Sequence, residues 1–423
     1  MDFSYDDEQR ALRDAVRGLV GRTYADHEHR RSVTAKDPGF DERLWSRMAE
    51  MGLLGLPFAE DDGGVGAGPV EVGIVCQELG AVAAPEPYLG VVLAGGLVAA
   101  CGTTQQRGEV VGPLAGGELL PAFAHAEPGG RWTAGARAVT ATKEGDGWAL
   151  TGTKEPVPHG ARAEVLVVSA ALPAGGTGLF LVDPADATVT GYPAYDGTRA
   201  ARVDLDATSA TPLGRPGRDL TASIATALDL ARVMAANQSL GAMRSALEAT
   251  TDYLRSRRQF GVPLNTFQNL TFRAADMYVS LELTQSVVDW ATMVAAQSST
   301  QSSAQSSAQS SAQSSAQSSA QSSVGRSSEQ ASEQSSEQSS EWGDSDALAD
   351  AATRVALQTS RGGRHVGQEA IQLHGGIAMT AEYSVSSLVA QLTALDHLLG
   401  DGRHQLGRLA AGVTDHGMLD PLS

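Results

Sequence analysis

The sequence predicts an α+β fold that is mostly α, with an N-terminal helical domain, a central β-barrel-like domain and a C-terminal four-helix bundle. Three observations predict it. Apolar residues recur with helical spacing through residues 1–118, short β-rich runs separated by turn residues fill 119–217, and the helical period returns from 218 onward. A chain of 423 residues exceeds the size at which a single core keeps growing, so several packed units are expected.

In the first region, Glu8 to Val20 places Leu12, Val16, Leu19 and Val20 on one stripe, and Leu44 to Leu54 and Val70 to Leu79 repeat the pattern. Glycine and proline punctuate the joins. Gly63-Gly64-Val65-Gly66-Ala67-Gly68 imitates a dinucleotide fingerprint, but no strand–helix–strand unit surrounds it, so it reads as an interhelical loop. In the second region, Ala138 to Thr142 and Trp148 to Gly152 flank the turn Glu144-Gly145-Asp146-Gly147 and predict a hairpin, continued by Val165 to Val168 and Gly178 to Val182.

In the third region, Val233, Ala236, Leu240, Met243, Leu247, Thr250 and Leu254 mark one face of a long helix. Further helices are expected over Phe267–Ala296, Asp346–Gln372 and Tyr383–Leu399, giving a bundle built from 218–296 and 342–415. Between the halves, 297–341 consists of Gln-Ser-Ser-Ala units passing into Ser-Glu-Gln units, with no aromatic residue. Such a segment buries too little to offset its ordering entropy and is expected to be a disordered loop.

A net charge of −18 argues against a nucleic-acid or anionic-membrane surface, and no apolar run reaches spanning length, so neither nucleic-acid binding nor membrane insertion is expected. Cys76 and Cys101 sit among apolar neighbours, which favours reduced thiols over a disulfide, and the acidic N-terminus has no signal-peptide core; together these predict a cytoplasmic protein. His159, His365, His374, His397 and His404 lack the spacing of a metal site, so no metal is expected.

Two segments more than a hundred residues apart carry the strongest chemical signal. Arg257-Arg258-Gln259-Phe260-Gly261, followed by Gln268, offers a planar cationic fork and an amide. Gln372-Leu373-His374-Gly375-Gly376 offers a second amide and two residues without Cβ, where a ligand can approach the backbone. Together they suit a dinucleotide pyrophosphate.

These motifs, with Asp61-Asp62-Gly63-Gly64-Val65-Gly66, Cys76-Gln77-Glu78-Leu79-Gly80, Ala126-Glu127-Pro128-Gly129-Gly130 and Gly152-Thr153-Lys154, make the chain resemble the acyl-CoA dehydrogenase family from Phe3 to about Ala411, the repeat excepted. It looks most like the small subunits of bacterial heteromeric members. The resemblance implies FAD as cofactor and an acyl-CoA substrate, oxidised to its 2,3-enoyl form in fatty-acid or steroid side-chain β-oxidation. It also implies a homo- or hetero-tetramer in which one chain's β domain holds the isoalloxazine while a neighbour's bundle holds the ADP part. Arg257, Phe260, Gln268, Gln372, Gly375 and Gly376 match the bundle half residue by residue.

The other half departs from the family pattern. His125 and Gly130-Arg131-Trp132 stand where members carry a Thr and a Gly-Ser-Asp, and Glu155-Pro156-Val157-Pro158 replaces a Trp-x-Thr. The two alternative positions for the catalytic carboxylate carry Ala231 and Gly400, leaving Asp401 as the candidate base in this chain. Three readings follow from the resemblance: a catalytic subunit completed by a partner, a self-sufficient dehydrogenase using Asp401, or a non-catalytic scaffold that completes a partner's FAD site.

Overall fold

The computed structural model describes residues 4–130, 132–145, 147–320 and 341–413. Six helices come first: α1 (Asp7–Thr23), α2 (His27–Thr34), α3 (Glu42–Glu50), α4 (Pro69–Ala81), α5 (Tyr88–Cys101) and α6 (Thr104–Ala115). Several begin on a side chain that accepts an otherwise unpaired backbone N–H. Asp6 caps α1 through Gln9 N, Asp26 caps α2 through Glu28 N, Asp41 caps α3 through Arg43 N and Leu44 N, and Thr103 caps α6 through Gln106 N. The glycine-rich run lies between α3 and α4 as expected. Its tightness has a steric reason, since a Cβ at Gly64 would overlap the Phe58 carbonyl.

Seven strands follow: β1 (Pro121–Ala124), β2 (Thr140–Glu144), β3 (Gly147–Pro158), β4 (Val165–Ala171), β5 (Thr177–Val182), β6 (Thr188–Pro193) and β7 (Arg199–Pro212). The expected hairpin is β2–β3, with Thr142 opposite Ala149. Pairings of β4 with β2, β2 with β3, β3 with β7, β7 with β5 and β5 back to β4 close a ring; β1 joins β4 in parallel and β6 joins β7. The barrel-like expectation therefore holds. Alternate residues such as Leu150, Leu166, Val168, Phe180 and Val203 fill the ring as a core of its own.

The remaining elements are α7 (Thr221–Ser256), a short β8–β9 hairpin (Arg258–Gln259 and Val262–Pro263), α8 (Gln268–Ala320), α9 (Glu341–His374), α10 (Ser384–Leu398) and α11 (Gly402–Ala411). Helix α7 is the spine, packing on α4, α5, α8, α9 and α10. At its crossing with α4 the two main chains meet. A Cβ on Gly80 would overlap the Gln238 carbonyl, and one on Gly241 would overlap the Gln77 carbonyl. Beside this contact, Gln77 Nε2 donates to Asn237 Oδ1 at 2.8 Å and Asn237 Nδ2 donates to Thr292 Oγ1 at 2.9 Å, linking α4, α7 and α8. One apolar core runs through the helices of both ends of the chain.

One expectation is corrected. The segment 297–320, expected as part of the disordered loop 297–341, continues α8 as helix; residues 321–340 lie outside the described residues. From 297 to 320 the repeat holds neither glycine nor proline, so a helix already nucleated by packing before Ala296 propagates at low cost. Beside the four-helix bundle, a further short helix, α11, packs on α9.

Candidate functional site

The two motif segments meet at one end of the bundle. Helix α7 ends at Arg257, whose backbone N–H still bonds to Tyr253 O while its ψ of 129° leaves the helix. The chain then turns through Phe260 and Gly261, with φ of 51° and 83°, and returns as Leu264 N–H bonds to Arg257 O at 2.9 Å. Phe260 is 91 % exposed and meets Phe267 edge to face. Gln268 opens α8 immediately beyond.

Helix α9 delivers the second segment to the same place. His374 is buried between Tyr253 of α7, at 4.6 Å between ring centroids, and Tyr383, at 5.1 Å. Its Nδ1 lies 2.8 Å from Ala370 O, and burial pushes its pKa down, so the neutral ring donates through Nδ1. Arg273 and Glu369 join α8 to α9 by a two-pronged ion pair at 2.6 and 3.0 Å. These contacts register Arg257, Gln268, Gln372, Gly375 and Gly376 on one rim.

The rim is open to solvent. Arg257, Gln268, Gln372, Gly375 and Gly376 are all exposed, and a Cβ at either glycine would meet nothing within 4 Å. Gly375 has φ +69°, where side chains are rarely tolerated. No ion pair holds the Arg257 guanidinium among the described residues. A free cationic fork, two exposed amides and an unobstructed glycine pair fit an anionic pyrophosphate approaching from outside the chain.

At the opposite flank, the two positions expected for a base come together without carboxylates. Ala231 is buried in α7; Gly400, at φ +116°, links α10 to α11. A Cβ at Gly400 would lie 2.6 Å from Gln405 Nε2 and 2.8 Å from His404 Cδ2, so a larger residue would displace both. Asp401 is the N-cap of α11, accepting His404 N–H at 2.8 Å. One carboxylate oxygen is thereby engaged in holding a helix start.

A network beside these positions was not anticipated from the sequence. Asp229, 5 % exposed, pairs with Arg232 at 2.5 Å and with Arg408 at 3.3 Å. Arg232 Nε also donates to Leu399 O at 2.9 Å, and burial pushes its pKa down. The i, i+3 spacing of Asp229 and Arg232 was the available signal, but Arg408 arrives from a distant helix.

On the barrel, Lys154 is fully buried and donates to His125 O and Glu127 Oε1, both at 2.9 Å, and to Ser169 Oγ at 3.0 Å. Burial pulls it down to about 8 against the attraction of Glu127. Burial alone would raise Glu127, but the Ala138 N–H, Lys154 and the Val139 N–H together bring it down to about 2. His125 stacks on Phe123 at 4.9 Å; burial, then the Lys154 charge, pushes it down to about 4. Trp132, from the same segment, donates through Nε1 to His397 O at 2.9 Å and rests on the His404 ring at 5.3 Å. It bridges the barrel segment to the end of α10 and the start of α11, while Arg131 lies outside the described residues.

Helices, closed barrel and helical bundle follow one another in this order along the chain. Residues 6–118 match the model of the acyl-CoA dehydrogenase N-terminal domain, and 221–326 match that of the C-terminal domain. A relative, acyl-CoA dehydrogenase FadE27 of Mycobacterium tuberculosis, is 30 % identical over 298 residues, 69 % of this chain and 77 % of that protein. The chain belongs to the acyl-CoA dehydrogenase family. The mouse mitochondrial short-chain specific acyl-CoA dehydrogenase is 31 % identical over 257 residues, which span 56 % of this chain and 61 % of that protein's length. The solved structure described as the Tcur3481-Tcur3483 steroid ACAD G363A variant superposes with a TM-score of 0.78 at 29 % identity, covering 97 % of this chain and 98 % of that one. No helix among the described residues is long and apolar enough to cross a membrane.

Proposed function

We propose that the chain is a subunit of an FAD-dependent acyl-CoA dehydrogenase whose bundle rim completes the FAD site of a neighbouring subunit. The observation that carries this reading is the pairing of an open, unengaged rim around Arg257 with two base positions occupied by Ala231 and Gly400. Arg257 would pair with the pyrophosphate, Gln268 and Gln372 would hydrogen-bond to it, Gly375 and Gly376 would let it approach the backbone, and Phe260 would cover the rim's edge. Bound FAD supplies the acceptor for the hydride leaving the β carbon of an acyl-CoA. The carboxylate that takes the α proton comes, in this reading, from the partner, and Asp401 serves as a helix cap.

Trp132 supports the same division of labour, because its indole ties the barrel segment to His397 O and His404 instead of leaving that face free. The substrate class is an acyl-CoA of fatty-acid or steroid side-chain β-oxidation, a reading supported by likeness to a steroid dehydrogenase complex. The assembly is a tetramer with a second acyl-CoA dehydrogenase-like subunit. A scaffold that only completes the partner's site, without contributing to turnover, is the alternative.

Expression with and without a partner subunit tests the proposal. The chain alone should be colourless and inactive, and the complex yellow and active. Arg257→Ala should weaken flavin retention by the complex by about 1.5–3 kcal/mol, the range for a charge-assisted hydrogen bond. Unchanged flavin content and turnover would overturn the shared site. Loss of turnover with flavin retained in a partner-only preparation would identify the rim as structural.

A further inference from the structure

We infer that a second copy of this chain docks antiparallel on the outer face of α8, across a two-fold axis through Val279. Phe272, Val279 and Leu283 recur on one stripe of this helix with Tyr278 at its edge, and all four are between 53 % and 59 % exposed. Side chains of this size leave roughly 400 Å² of apolar surface bare, a patch that on a single subunit marks an interaction site. It is about half of the ~800 Å² that each partner of a stable pair buries. The chain's own repeat is no cover for it, because Val324 is the one large apolar residue from 297 to 341.

The order of residues along the stripe selects a like copy. Reversing α8 about Val279 sets Phe272 opposite Ser286 and Leu283 opposite Ala275, so in each layer a large side chain meets a small one; Ser286 and Ala275 are themselves exposed. Charge follows the same axis. Helix α9 lies along α8, with Gln358 Nε2 donating to Thr284 Oγ1 at 3.2 Å and His365 Nδ1 2.7 Å from Ser280 Oγ. Those two contacts bracket Arg361 on the far side of Val279 from Asp276. Arg361 and Asp276 are exposed, and neither has an ion pair among the described residues. The reversal brings each Asp276 toward the other copy's Arg361. Gln268 stands roughly 16 Å from Val279 along the helix, so the two rims lie at opposite ends of the pair. The inference thus adds a like-with-like contact to the tetramer proposed above without resting on its flavin reading.

The test is the mass of the full-length chain by sedimentation. Wild type should have twice the mass of the Val279→Glu, Leu283→Glu double variant, whose fold should be kept because both positions are exposed. Asp276→Arg, which faces like charges across the axis twice, should weaken self-association about fivefold to tenfold, and adding Arg361→Asp should restore it. In the complex with a second subunit the double variant should halve the particle mass and keep its flavin, whereas Arg257→Ala reads the rim by flavin loss at constant mass. The inference is overturned by a monomeric wild-type chain, by equal masses of wild type and double variant, by a charge exchange that fails to restore association, or by a double variant that sheds the second subunit while like copies stay together.

Discussion

Arg232 Nε donates to the carbonyl oxygen of Leu399 at 2.9 Å, across 167 positions of sequence. The bond draws the helix position before Arg232, Ala231, and the loop position after Leu399, Gly400, into one neighbourhood. The Asp229 carboxylate, buried and held by Arg232 and Arg408, neutralises the cation that makes the link.

Arg232→Leu therefore leaves Asp229 buried with only the longer Arg408 contact. Breaking a buried ion pair by removing one partner costs about 3–5 kcal/mol, and the retained Arg408 places this variant near the low end. Chemical denaturation of wild type and variant measures the loss. A change below about 1 kcal/mol would show that solvent reaches the network.

Asp401 separates cap from base. Asp401→Asn keeps an N-cap acceptor and should leave both stability and turnover of the complex near wild type, whereas Asp401→Ala should cost about 1 kcal/mol of stability. A large fall in turnover for the asparagine variant, with stability intact, would reinstate Asp401 as the proton acceptor.

Glu127 sets an acid limit on the barrel. Its folded pKa, about 2, lies below the ordinary 4.5, so its contribution is fully present above 4.5 and is lost as pH falls through the window down to 2. Glu127→Gln should flatten the fall in stability across that window. Matching slopes in thermal melts of wild type and variant would rule out the carboxylate as the titrating group.

The Gly241 crossing admits no side chain. Gly241→Ala would press a methyl group against the Gln77 carbonyl, and overpacking of this kind costs about 1–3 kcal/mol. Denaturation midpoints measure it; an unchanged midpoint would mean that α4 and α7 can separate freely.

The helices, the β2–β3 hairpin and the barrel-like middle were legible because periodicity and turn chemistry are local. The exposed segments at the ends of α7 and α9 were readable for a related reason: Arg257 and Gln268 are near in sequence, and the glycine pair marks open backbone by its lack of Cβ. Arg408 on Asp229 and Trp132 on His397 were not, because each contact depends on how distant elements dock. Asp401 was ambiguous in sequence, since a carboxylate before a helix and a carboxylate beside a substrate look alike until His404 N–H is seen on it. The helix through 297–320 was not expected because Gln, Ser and Ala have only moderate local helix preference and nothing there to pack against.

The helices of both ends share one interior, locked where Gly80 and Gly241 bring main chain onto main chain, while the strand ring keeps a separate interior. The outer face of the strand ring is nevertheless packed into the helical interior, through Phe123, Val167 and Leu179. Ties such as Trp132 to His397 and Arg30 to the Asp196 carbonyl, at 3.0 Å, are the stitches that slow exchange should expose first.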